Sequence, residues 1–131
     1  MRASARRLGD GFQHQVSVRT HALTADEPKD NGGEDSGPSP QELLAASLAS
    51  CTAVTIEMYA RRKGWNIGEV AVDVDYEPAQ KGSPTKFNMV MRLPKDLPQE
   101  QRERLSQIAA KCPVHRTLEG EVMFEESVEL A

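Results

Sequence analysis

The chain is short of the residues that most metal-binding and cofactor chemistry requires. It has two cysteines, three histidines and one tryptophan among 131 residues. Two cysteines are too few for a disulfide-framework domain. Structural zinc sites bring their ligands in close pairs. Here Cys51, Cys112, His21 and His115 offer one such spacing, Cys112 to His115. Positive charge is in deficit: 16 Lys and Arg against 20 Asp and Glu give a formal net charge of -4. That removes the electrostatic footing for nucleic-acid binding. No uninterrupted apolar run reaches the ~18 residues of a membrane span. The basic start MRASARRLGDG lacks the apolar segment of a secretory leader. Gly32-Gly33 lacks the lysine pattern of a phosphate loop. What is present is ordinary for a globular protein, with 38% hydrophobic and 27% charged residues. The expectation is one domain over residues 1–131, with residues 1–10 as a loose lead-in. The setting expected is cytoplasmic, where thiols stay reduced unless catalysis oxidises them.

Phe12, His14, Val16, Val18 and Thr20 alternate with polar neighbours, the period of a strand. The segment ADEPKDNGGEDSGPSP that follows reads as a long loop, of the kind that often carries function. Ser39-Pro40-Gln41-Glu42 then combines a cap residue, a proline at the first helical position and a glutamate three residues on. This is a capping box. Arg61, Arg62 and Lys63 supply cations for the last turn, and Gly64 ends it. Such a helix is roughly 36 Å long at about 1.5 Å per residue. Leu44, Leu48, Cys51, Thr55 and Met58 share one stripe, and Leu43 to Ile56 carry no charge on any face. The expectation is a helix buried all round, which in so small a chain points to a partner subunit. Val70, Val72, Val74 and Tyr76, then Phe87, Met89, Met91 and Leu93, alternate around KGSPT as a hairpin. A second helix is expected from Pro98 to about Lys111, capped by Asp96, with Leu105, Ile108, Ala109 and Cys112 inward. A last strand is expected over Val122 to Leu130. Together these predict α+β architecture, with antiparallel sheets around a long buried helix that carries Cys51.

Cys51 is mid-helix, so no helix N-terminus lowers its pKa. Without a cation or donors from another element, it is an inert core thiol. Cys112 either ends the second helix, which favours its thiol, or caps a turn starting at Pro113, which favours its thiolate. Glu42 has a structural role ready in the capping box. It lies about 13 Å along the helix axis from Cys51 and on the opposite face, so any thiol it serves belongs to a partner chain.

The motifs DEP, GG, GPSPQELLAASLASCTAVT, YARRKGW and CPVHRTLEG, in that order from about His21 to Leu130, resemble the OsmC/Ohr-like family. The resemblance implies an α+β, intertwined homodimer with two active sites at its interface. It implies a cysteine-based peroxidase that reduces organic hydroperoxides in oxidative stress defence. Cys51 is then the peroxidatic thiol and passes through a sulfenate, and Cys112 resolves it to a Cys51–Cys112 disulfide. An external dithiol is the reductant, and no metal or organic cofactor takes part. The alternative on the same scaffold is a redox-sensing or small-molecule-binding dimer with little turnover. Two departures stand out. Where the hydroperoxide-resistance branch has its glutamate, this chain has Gln41, and the acid falls one step on, at Glu42. That branch also places an arginine on an early strand. The matching stretch near Asp10 to Gln13 has none, which leaves Arg19 or Arg116 as candidate cations.

Overall fold

A computed structural model describes all 131 residues. The element order is β1 (Ser4–Arg7), β2 (His14–Val18), β3 (His21–Ala25), α1 (Pro40–Lys63), β4 (Ala71–Glu77), β5 (Lys86–Arg92), α2 (Gln99–Ala109) and α3 (Pro113–Glu119). The class is α+β. The chain forms two compact units: Met1–Ala46 with Tyr76–Lys86, and Ser47–Asp75 with Phe87–Ala131.

In the first unit β1, β2 and β3 form an antiparallel sheet in sequence order. Arg7 pairs with His14 and Ser4 with Ser17, while Val18 pairs with His21 and His14 with Ala25. Two expectations change here. Part of the supposed lead-in is a strand, since Ser4–Arg7 is held by ladder hydrogen bonds although its side chains are exposed. Period alone cannot find a short strand with no buried face. The alternating stretch also stops at Val18, where Arg19-Thr20 makes a two-residue hairpin loop. Arg19 has φ 54, a left-handed conformation that such tight loops require. Arg19 is therefore an exposed turn residue and not a strand residue.

The loop after β3 folds around Asp26, whose exposure is 1%. Its carboxylate accepts from the backbone N–H groups of Glu27 (2.7 Å), Glu34 (3.2 Å) and Ser36 (3.1 Å), and from the Ser36 hydroxyl (2.8 Å). Glycine is required at two places. A Cβ on Gly33 would stand 1.9 Å from the Glu27 carbonyl oxygen, and one on Gly37 2.1 Å from that of Thr24.

Helix α1 begins as its sequence demands. The Ser39 N–H donates to Glu42 Oε1 (2.9 Å) and the Glu42 N–H to Ser39 Oγ (3.2 Å). It ends in a Schellman motif, with Gly64 at φ 72, Trp65 N–H on the Ala60 carbonyl and Gly64 N–H on that of Arg61. Between the ends it is not buried all round. Leu48, Thr52, Ile56 and Ala60 form the buried stripe, while Val54 and Met58 are 49% and 61% exposed. The buried face is turned from the expected one because the apolar residues encircle the helix, so composition alone cannot choose a side. An 18-residue window of α1 averages 1.4 in hydropathy, enough by length and composition for a membrane span, and 22% of it is buried in the chain. The expectation of no such segment rested on charge-free runs, whereas the average tolerates isolated charges.

In the second unit Ile56, Ala60, Ile67, Leu97, Leu105, Ile108 and Ala109 form the core, flanked by Tyr59, Trp65, Val70, Met91 and Leu93. β4 and β5 make a two-stranded sheet, with the expected alternation of half-buried and exposed residues. Their short connection allows only an antiparallel pairing. Helix α2 has Pro98, not Asp96, at its cap position, with no side-chain capping bond. The expected last strand does not form. Residues 121–131 carry no regular structure, and Val122, Phe124, Val128 and Leu130 are exposed by 54–97%. A strand exists only as part of a ladder, and this segment joins neither sheet in the single chain.

Candidate functional site at the two cysteines

Both cysteines are free thiols of the second unit: Cys51 is half-buried on α1, and Cys112 is 0% exposed. The structure resolves the two readings of Cys112. It is the cap residue of α3, with Pro113 at the first helical position, and its sulfur accepts from the His115 N–H at 3.5 Å. It therefore faces the positive end of a short helix and not the negative end of α2.

The two thiols act on each other. Burial pushes the Cys51 thiol up, and Cys112 adds to the rise by accepting the Cys51 proton; the Val114 N–H and the Thr55 hydroxyl oppose it. Burial also works to raise Cys112. The Cys51 thiol, the His115 N–H, the Thr52 hydroxyl and the Val114 N–H outweigh it and bring Cys112 below the ordinary cysteine value. Thr52 is wholly buried and its single proton is contested. It donates to the Leu48 carbonyl at 2.8 Å, and Met89 Sδ lies 3.9 Å away. Thr55 donates to the Cys51 carbonyl at 2.7 Å. Cys51 is the half-buried thiol of the two, and Cys112 is the buried one that meets the N–H donors at the start of α3.

The other expected residues fall outside this cluster or at its edge. Glu42 closes the capping box, and its donors from Ser39 hold its carboxyl below the usual range. α1 is unbroken from Glu42 to Cys51, so the acid does not turn back along its own helix. Arg19 sits in the β2–β3 turn, and Arg116 is exposed on α3. None of the leading influences on either sulfur is a cation. His115 engages Glu119 through Nε2, and its Nδ1 is buried without a partner. No cluster of three or more His, Cys, Asp or Glu side chains is arranged to hold a metal ion.

Sequence reasoning missed two kinds of contributor. The donors to Cys112 are backbone N–H groups and a threonine, which no motif advertises. Asp26 is the other, and it controls the long loop. Burial would raise its carboxyl, but the Ser36 N–H and hydroxyl, with the Glu27 and Glu34 N–H groups, bring it below the usual carboxylate range. An aspartate at a strand end before a Gly- and Ser-rich stretch is the signal that was available. The first unit also holds a cavity of about 890 Å³ lined by Phe12, His14, Val16, Ala25, Glu27 and Gln41 among others.

The α+β frame carries two free thiols in its second unit, Cys51 half-buried on α1 and Cys112 buried at the cap of α3. The chain belongs to the OsmC family, whose model, described as OsmC-like protein, matches residues 33–127. Solved structures share the fold. An OsmC-like protein from Mycoplasma pneumoniae is 20% identical with a TM-score of 0.76, over 91% of this chain and 86% of that one. A protein from Psychrobacter arcticus 273-4, named for osmotic stress induction and detoxification response, is 24% identical with a TM-score of 0.74, over 88% and 85%. The organic hydroperoxide resistance protein OhrB of Bacillus subtilis is 21% identical with a TM-score of 0.61, over 91% and 90%. No curated protein sequence matches the chain.

Proposed function

We propose that the chain is a cysteine-based peroxidase that reduces organic hydroperoxides in oxidative stress defence. The observation that carries this reading is the pair of free thiols in the second unit, Cys51 half-buried on α1 and Cys112 buried at the cap of α3, each acting on the other's ionisation. Relatives of the same fold named for organic hydroperoxide resistance support it. In this reading the terminal oxygen of the hydroperoxide is attacked by the Cys51 sulfur, the O–O bond breaks and an alcohol leaves. Cys112 then attacks the Cys51 sulfenate, forming the disulfide and releasing water. An external dithiol restores both thiols by exchange. No metal or organic cofactor enters, and the setting is cytoplasmic. The working unit is a homodimer, in which Glu42 serves the Cys51 site of the partner. Exposed Val54 and Met58 on α1 support a covering subunit.

A second reading is a redox-sensing or small-molecule-binding dimer with little turnover. It is favoured by the lack of a cation at Cys51, whose thiol is raised. The test is stoichiometric cumene hydroperoxide followed by mass spectrometry and a dithiol-coupled assay. We expect a Cys51–Cys112 disulfide and sustained turnover, both lost in Cys51→Ser. Disulfide without turnover selects the sensor. No reaction of either thiol removes the peroxidase and the redox sensor and leaves the small-molecule-binding dimer.

A further inference from the structure

We propose that Tyr59 is a modification site: an activated phenol near the end of α1 that takes a nitrating electrophile ahead of the chain's other tyrosine, Tyr76. This goes beyond the peroxidase reading and does not depend on it. The site lies wholly within the second unit. Arg104 Nε, from α2, donates to the Tyr59 hydroxyl oxygen at 2.9 Å. The same guanidinium carbon stands 5.5 Å from the Tyr59 ring centroid, and Arg104 Nη1 donates to Gln107 Oε1 at 2.9 Å. The guanidinium is thus held from two sides. Lys63, one helical turn beyond Tyr59, places its Nζ 5.6 Å from the same centroid. Trp65 meets the ring in a T-shaped contact, with centroids 5.7 Å apart.

A phenol oxygen that accepts from a guanidinium, with a second cation at its ring, gives up its proton more readily, because each of these neighbours favours O⁻. The ionisation follows the geometry. The Arg104 hydrogen bond, with the charges of Arg104, Lys63 and Lys111, outweighs desolvation and brings the phenol below the ordinary tyrosine value. No carboxylate is among those leading influences. Access is open. Tyr59 is half-buried against the core, but Arg104, Lys63 and Lys111 are exposed. Tyr59 faces α2, while Met58, on the side expected to meet a second copy, points about 100° away around the helix. Packing of α2 on α1 accounts for the ring contacts. It sets no order of reactivity between the two tyrosines, and that order is what the activated phenol predicts.

The step balances with tetranitromethane as the electrophile. The phenol first loses its proton to solvent. The ring carbon beside C–O⁻ then attacks a nitro nitrogen, a C–N bond forms, and the C–N bond of the reagent breaks. Trinitromethanide leaves with the electron pair. The ring carbon loses its proton to solvent, which restores the aromatic ring and leaves nitrotyrosine.

The experiment is limited nitration of the full chain by tetranitromethane near neutral pH, with peptide mass spectrometry of both tyrosines. The chain has two tyrosines, so each molecule carries its own comparison. Reagent consumed by the thiols cancels in the ratio, which makes the result independent of any peroxidase activity. We expect Tyr59 to be nitrated faster than Tyr76 by about fivefold or more. Arg104→Met, which keeps the apolar stem and removes the donor and the charge, should bring the ratio down by most of that factor. Lys63→Met should lower it by a smaller amount. Tyr76 reacting as fast as Tyr59 in the wild type overturns the proposal, and that measurement needs no variant. A high wild-type ratio that Arg104→Met leaves unchanged, with helix content intact, overturns it equally. If Arg104→Met does not fold, Lys63→Met at its exposed position decides, and an unchanged ratio there counts as overturning.

Discussion

At the residue scale, the chemistry turns on small donors more than on charged side chains. Cys112 draws on N–H groups of Val114 and His115, and Asp26 on those of Glu27, Glu34 and Ser36. A carboxylate with depressed folded pKa adds stability that is full above its unfolded value, near 3.9, and is lost as pH falls through the folded value. Asp26→Asn should therefore be less stable than wild type at neutral pH. We expect its melting temperature to drop by on the order of 5 °C, and the difference to shrink as pH falls below about 4. Thermal unfolding against pH checks this, and a constant difference down to low pH would exclude the carboxylate's role. Gly33→Ala tests the same loop sterically. Its Cβ would overlap the Glu27 carbonyl at 1.9 Å, so the backbone must shift. Faster amide exchange at Glu34 and Ser36 is the expected outcome.

At the element scale, helix α1 was the most legible part of the sequence, and its orientation the least. Its cap, its cationic last turn and its Gly64 terminus each follow from local chemistry within a few residues. Ser39→Ala should cost about 1 kcal/mol of unfolding free energy, read from urea denaturation; an unchanged midpoint would count against the capping box. Which side of α1 is buried depends on what packs there, and its apolar residues leave every side open. The short strand β1 escaped notice, and helix α3 was legible only as one of two readings of Cys112. β1 buries no side chain, and α3 is a single short turn-rich segment announced only by Cys112-Pro113. The tail shows the converse. Its alternation predicts a strand, and in the single chain the segment joins no ladder.

At the scale of the whole molecule, the second unit leaves Val54, Met58, Val90, Phe124 and Val128 exposed by 49–90%. Side chains of that kind are expected to be covered by a second copy. Sedimentation should give twice the 14.4 kDa chain mass, and Met58→Glu should shift the population toward monomer. A stable monomer in the wild type would end the account in which Glu42 serves a partner's Cys51.

By itself the sequence determined the α+β class, the family and the ends of α1. These are local properties or ordered motifs, written in consecutive residues. Only the tertiary structure decided that Cys112 caps α3, that its sulfur accepts from the His115 N–H, and that Cys51 lies half-buried on α1 while Cys112 is buried. A thiol's ionisation is set by the donors and burial that packing brings to it from distant parts of the chain, and no spacing along the chain records those.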